Sequence, residues 1–101
     1  MFVIYIGLDF KKLPLDIREN FVFSKSELPA ANSALNSEKS ILENVILSTC
    51  NRTEIYAVVD QIHTGQYYLK RFLARWFNVS LKEIEKFGSY SIKTGRDYSF
   101  I

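Results

Sequence analysis

The sequence predicts an α+β domain of the split βαβ kind: one four-stranded antiparallel sheet with helices packed on one face. Three observations predict it. The chain has 101 residues, and two independent cores of about 50 residues each would sit near the lower limit for unaided folding, so one domain is expected. Four β-rich runs occur along it, and the segments joining the first to the second and the third to the fourth carry helix signals. With hydrophobic residues at 48%, charged residues at 24%, four Gly and two Pro, the composition is that of an ordinary globular chain and excludes a disordered or low-complexity one.

Residues 2–8 (Phe-Val-Ile-Tyr-Ile-Gly-Leu) are nearly all apolar, β-branched or aromatic, which predicts a buried first strand that Gly7-Leu8-Asp9 begins to end. Pro14 suits the first turn of a short helix over 15–20, where its missing N–H is not needed. Ser24-Lys25-Ser26-Glu27 fits a capping box and opens a helix through about Leu35, with Asn36-Ser37 as the stop. Residues 44–49 and 54–59 read as two strands, and Cys50-Asn51-Arg52-Thr53 between them is short enough for a hairpin, which places Cys50 at a tip. From about Thr64, Tyr68, Leu69, Phe72, Leu73, Trp76 and Phe77 recur at spacings of three and four, the stripe of an amphipathic helix against a sheet. Ser80-Leu81-Lys82-Glu83 caps one more short helix ending near Gly88, and residues 89–93 form a last strand. This order is ferredoxin-like, and right-handed crossovers place the first and third strands in the centre. Residues 1–95 are assigned to the domain and 96–101 to a ragged end.

Several function classes recede on composition. No run approaches the 18–20 apolar residues of a membrane span, and the first five residues lack the basic start of a signal peptide, so a cytoplasmic location is expected. Thirteen Lys and Arg against eleven Asp and Glu leave a formal charge of +2, too small to name a partner. One cysteine can neither close an internal disulfide nor supply a metal cluster, so no metal site is expected and Cys50 is a reduced thiol.

Cys50 is the first chemical candidate, because a thiolate is both a good nucleophile and a good leaving group in acyl transfer. A buried structural cysteine is the competing reading. Ser48, Thr49, Asn51, Arg52 and Thr53 gather hydroxyl, amide and guanidinium groups around it, which favours a site. Arg52 could lower the thiol pKa or hold a carboxylate in a bidentate fork; a solvated turn arginine is the alternative. His63 lies at the far end of the strand leading away from Cys50, so a Cys–His pair is not expected. Lys70, Arg71 and Arg75 read as a solvated helix face rather than phosphate contacts, and Tyr67, Tyr68, Phe72, Trp76 and Phe77 as core rather than a stacking platform. The strand order also invites comparison with RNA-recognition modules; Ile4-Tyr5-Ile6-Gly7 superficially fits their shorter signature, whereas residues 52–58 lack the Gly-aromatic pattern of the longer one. A non-enzymatic RNA- or ligand-binding module with a structural cysteine is therefore the alternative function.

Ser48-Thr49-Cys50-Asn51-Arg52-Thr53-Glu54-Ile55-Tyr56 resembles the active-site signature of glutamyl-tRNA reductases. Gly7-Leu8-Asp9-Phe10-Lys11 with Pro14 and Ile17-Arg18-Glu19 is similar to that family's first loop and short helix. Phe23-Ser24 with Glu27-Leu28, and the run from Gly65 to Leu73, resemble its later helices in order and spacing. The likeness covers about residues 2–93.

What the resemblance implies is an N-terminal catalytic domain working in tetrapyrrole (porphyrin and haem) biosynthesis. Cys50 would attack the aminoacyl ester of glutamyl-tRNA and hold glutamate as a thioester, which NADPH reduces to glutamate-1-semialdehyde. By position, Cys50 is the nucleophile, Arg52 the clamp on the glutamate carboxylate, and Thr49 and Asn51 are substrate contacts. The family's spinal helix, NADPH-binding domain and dimerisation domain have no counterpart in this sequence, nor does its functional histidine on the long helix. A Lys-Thr-Ala-Pro of the family stands here as Lys11-Lys12-Leu13-Pro14. The chain alone is thus expected to be monomeric and unable to complete reduction, with full-length homodimers and a glutamate-1-semialdehyde aminomutase as partners of the whole enzyme.

Overall fold

The computed structural model describes residues 1–11, 13–49 and 51–94, with the backbone alone for residue 17 and residues 87–94. The predicted nucleophile Cys50 and the predicted ragged end 96–101 lie outside the described residues.

Elements follow in the order β1 (Phe2–Asp9), α1 (Leu15–Arg18) with a 3-10 turn at Glu19–Phe21, α2 (Leu28–Asn36), β2 (Ile41–Ser48), β3 (Arg52–Val59), α3 (Ile62–Phe77), α4 (Leu81–Phe87) and β4 (Gly88–Thr94). The sheet order is β2-β3-β1-β4, and every pairing is antiparallel. The first and third strands hold the centre, as the crossover rule requires. This is the α+β, ferredoxin-like arrangement the sequence predicts.

Strand alternation sorts the two faces. Ile4, Ile6 and Leu8 of β1 and Thr53, Ile55, Ala57 and Val59 of β3 are buried under the helices. There they meet Leu35 of α2, Leu69, Phe72 and Leu73 of α3, and Ile84 of α4. Phe23 stands in an aromatic group with Phe72, Trp76 and Phe77 at centroid distances of 6.3, 5.7 and 5.0 Å. Phe72 is therefore core, with Trp76 and Phe77 packed against it, whereas Tyr67, also expected in the core, is exposed because it lies on the side of α3 away from Leu69 and Phe72, and Tyr68 is only half-buried. Gly65 lets α3 approach β3, since a Cβ there would stand 2.8 Å from Val59 Cβ.

Boundaries depart from the sequence reading in instructive ways. The capping box forms, with Glu27 N–H donating to Ser24 Oγ (3.3 Å) and Ser24 N–H to the Glu27 carboxylate (3.4 Å). Pro29 then stands in the first turn of α2 and has no N–H for the preceding turn, so regular helix starts only at Leu28. β2 begins three residues earlier than expected because a register shift between Ile41 and Glu43 absorbs Leu42 and restores the alternation that Glu43-Asn44 interrupts. Asn44 turns inward and donates to the Asn32 carbonyl (3.2 Å), tying β2 to α2. Among the described residues, no helix is long and apolar enough to cross a membrane, and no group of three or more His, Cys, Asp or Glu is placed to hold a metal ion.

Candidate active site at the β2–β3 hairpin

β2 and β3 stay paired up to Ser48 and Thr53, and Thr49 N–H donates to the Arg52 carbonyl at 2.8 Å. The reversal is thus tighter than the four-residue connection read from the sequence. The Thr49 hydroxyl closes it, accepting from the Asn51 and Arg52 N–H groups at 3.3 and 3.2 Å. Thr49 shapes the turn that carries the candidate nucleophile.

On the core side, the hairpin is anchored by hydroxyls. Thr53 is fully buried and donates to the Phe21 carbonyl (3.3 Å), while Ser48 and Thr53 share a hydrogen bond of 2.9 Å. Ser48 Oγ in turn accepts from Phe23 N–H at 3.0 Å. A consistent proton order runs from Phe23 N–H to Ser48, from Ser48 to Thr53 and from Thr53 to Phe21. Two of the polar neighbours that suggested a site from sequence are therefore internal fasteners, since an unpaired hydroxyl in this buried position would be costly.

Asn51 joins the hairpin to the start of the chain. Its carbonyl accepts from Phe10 N–H (2.9 Å), and its Oδ1 accepts from Arg18 Nη1 of α1 (3.0 Å). Arg18 Nε is buried without a partner. The β1–α1 connection and the hairpin thus form one rim.

Arg52 opens β3 opposite Asp9 and projects onto the sheet face that carries no helix. Its Nη2 donates to the Tyr5 hydroxyl at 2.9 Å and lies 3.5 Å from Glu54 Oε1; Tyr5 donates to that same carboxylate oxygen at 3.1 Å. Hydrogen bonding to Tyr5, then the Glu54 charge, raise the Arg52 pKa and secure its cationic form. Burial, followed by the Glu54 carboxylate, raises the Tyr5 pKa, so the phenol stays neutral. The Tyr5 ring tilts against Tyr56 at 5.0 Å. It runs over Gly7, where an added Cβ would meet the phenol, with Tyr5 Cζ only 2.8 Å away. Period-2 alternation from Arg52 could have placed Glu54 beside it. The sequence reading named Tyr5 only in the comparison with RNA-recognition modules and Arg18 only in the likeness of the short helix, and gave neither a role at this hairpin.

The remaining candidates lie elsewhere. His63 is exposed in the first turn of α3, beyond the eight-residue length of β3 and so roughly 25 Å along the sheet from the turn. Arg71 lies over the Tyr68 ring at 5.4 Å. Arg75 borders an open groove of about 280 Å³ with Ala34, Glu38, Phe72 and Trp76. None of these joins the hairpin.

The family described as "Glutamyl-tRNAGlu reductase, N-terminal domain" matches residues 6–98. The chain belongs to that family. Curated relatives named glutamyl-tRNA reductase include those of Limosilactobacillus reuteri (strain DSM 20016), 55% identical over 93 residues covering 92% of this chain and 22% of the relative, and Listeria monocytogenes serotype 4b (strain CLIP80459), 60% identical over 87 residues covering 86% and 20%. That of Bacillus subtilis (strain 168) is 56% identical over 87 residues, covering 86% and 19%. The chain spans about a fifth of the length of these relatives. A dimeric ferredoxin-like protein from an uncultured marine organism superposes with a TM-score of 0.49 at 20% identity, covering 99% of this chain and 90% of that one. The strand order and antiparallel pairing alone define this fold.

Among the described residues, the two glycines with close contacts have structural roles. Gly7 serves the Tyr5 ring and Gly65 the α3–β3 approach, and neither belongs to a glycine-rich turn between a strand and a helix that would cradle a pyrophosphate.

Proposed function

We propose that this chain is the part of a glutamyl-tRNA reductase that takes glutamate from glutamyl-tRNA onto Cys50 as a thioester. The thiolate attacks the aminoacyl ester carbon, a C–S bond forms, the C–O bond to the terminal ribose breaks, and the released ribose hydroxyl takes up a proton. Arg52 holds the side-chain carboxylate of glutamate, for which a guanidinium offers two parallel donors. Thr49 and Asn51 border the substrate, the first by shaping the turn and the second by joining it to the β1–α1 rim. The observation that carries this reading is Arg52: a cationic, 41% exposed side chain in the family signature, anchored on the open sheet face beside the turn.

Hydride delivery from NADPH to give glutamate-1-semialdehyde belongs to the whole enzyme. The same reading has the isolated chain as a monomer that stops at the thioester, and the whole enzyme as a cytoplasmic homodimer supplying an aminomutase. Glutamyl-tRNA added to the chain is expected to leave a glutamyl group on Cys50, detected by mass spectrometry. A wild-type result equal to that of Cys50→Ser would overturn the reading. A Cys50 that resists alkylation in the native chain would favour the binding-module alternative.

A further inference from the structure

We propose that Tyr5 is the positioning residue for Arg52, and that its hydroxyl sets the preference of the site for a carboxylate over an amide at the end of the substrate side chain. This rests on the reading of Arg52 as the carboxylate clamp.

Arg52 stands at the first residue of β3 with a 41% exposed side chain, where a long flexible arm would ordinarily sample several rotamers. Two groups restrain it, and they are unequal. The phenol oxygen of Tyr5 receives Nη2 at 2.9 Å, a good hydrogen bond, whereas the Glu54 carboxylate is 3.5 Å away. An exposed ion pair at that separation is weak and only loosely directional. Tyr5 therefore dominates the geometry. Its oxygen also donates to Glu54 Oε1 (3.1 Å) and so stands between the carboxylate and the guanidinium. Without it, Arg52 and Glu54 could close into a bidentate fork, which would occupy the two donors that a substrate carboxylate requires. With it, Nη2 is engaged by the phenol, and the buried Nε has no hydrogen-bond partner among the described residues.

The phenol is itself held in place. Its ring packs on Tyr56 and lies along β1 across Gly7, which brings the hydroxyl to the hairpin end of the sheet. Burial keeps it protonated, so it accepts from Arg52 and donates to Glu54 at the same time.

Tyr5→Phe removes the oxygen and keeps the ring. The rate of Cys50 acylation is measured against the concentration of glutamyl-tRNA, and again with glutaminyl-tRNA, for wild type, Tyr5→Phe and Glu54→Gln. For Tyr5→Phe the half-saturating concentration of glutamyl-tRNA should rise about tenfold, the loss expected for one hydrogen bond to a charged group. Its maximal rate should change less than about twofold, and its preference over glutaminyl-tRNA should fall by the same tenfold. Iodoacetamide labelling of Cys50 should be unchanged, which a general loosening of the hairpin would not allow. Glu54→Gln keeps the phenol and should retain the preference. A wild-type chain that forms no thioester overturns the clamp reading and this inference together. A wild-type chain that does, with Tyr5→Phe matching it, overturns this inference alone. Loss of preference in Glu54→Gln but not in Tyr5→Phe would assign the positioning to the carboxylate instead, as would a Tyr5→Phe chain that unfolds while Glu54→Gln folds and loses the preference.

Discussion

The two faces of β1 and β3 are written by alternate residues of the same strands, yet they are held by different physics. Ile4, Ile6, Leu8, Ile55, Ala57 and Val59 face the helices and are at most 2% exposed. Tyr5, Arg52 and Glu54 face away and are linked through named oxygen and nitrogen atoms, with the Tyr56 ring packed on Tyr5. On the first face, what matters is apolar area and volume, which several side chains supply equally well. On the second, moving one oxygen by about an ångström exchanges a hydrogen bond for an ion pair. Substitutions on the core face should therefore act on stability, and those on the open face on selectivity.

The largest effect is expected from Ile6→Ala, on the central strand. Loss of its buried side chain should cost about 2–5 kcal/mol of stability, read from urea denaturation, with substrate preference unchanged wherever the chain remains folded. A selectivity defect in that variant would break the contrast between the faces. Thr53→Val keeps the shape and removes the buried hydroxyl that pairs with Ser48 and the Phe21 carbonyl. It should cost about 1–3 kcal/mol, the penalty for buried polar groups left unpaired. Gly7→Ala sharpens the comparison from the other side. A strand gains about 0.5–1 kcal/mol when alanine replaces glycine, but the new Cβ displaces the Tyr5 ring, so stability should change little while the half-saturating concentration of glutamyl-tRNA rises as it does in Tyr5→Phe.

The smallest effect concerns pH. Because the Tyr5 pKa is raised in the folded chain, the folded state keeps its proton where the unfolded state has lost it. Stability from this source is complete below the ordinary tyrosine value of about 10 and is lost as pH rises from there through the folded value. Between about pH 9 and 11, wild type should lose more stability than Tyr5→Phe, as measured by denaturation at each pH. Equal losses would mean that the phenol is not held as described.

Much of the molecule was legible in advance where the cause is local. The order of elements follows from hydrophobic period; the capping box at Ser24 and Glu27 forms in both directions, and Ser80 caps α4, its Oγ accepting from Glu83 N–H at 3.2 Å. The stripe of α3 packs as its spacing predicts, because a 3.6-residue period leaves one face for Leu69, Phe72 and Leu73. The start of β2 was not legible, because a bulge at Leu42 restores a pattern that looks broken along the chain. Nor was the sorting of the signature residues. Ser48, Thr49, Asn51, Arg52 and Thr53 form one polar run in sequence, but strand alternation sends Thr53 into the core and Arg52 to the open face.

By itself, the sequence determined the fold class, the hairpin and the family to which the chain belongs, since these depend on periodicity and on a nine-residue run whose members are neighbours along the backbone. Only the tertiary structure decided which groups surround Arg52. Tyr5 and Arg52 are 47 residues apart in the chain, and antiparallel pairing of β1 with β3, together with the absence of a side chain at Gly7, is what brings their polar atoms within 2.9 Å. Such a meeting depends on register and on the direction in which a ring lies, and neither has a signature in local residue order.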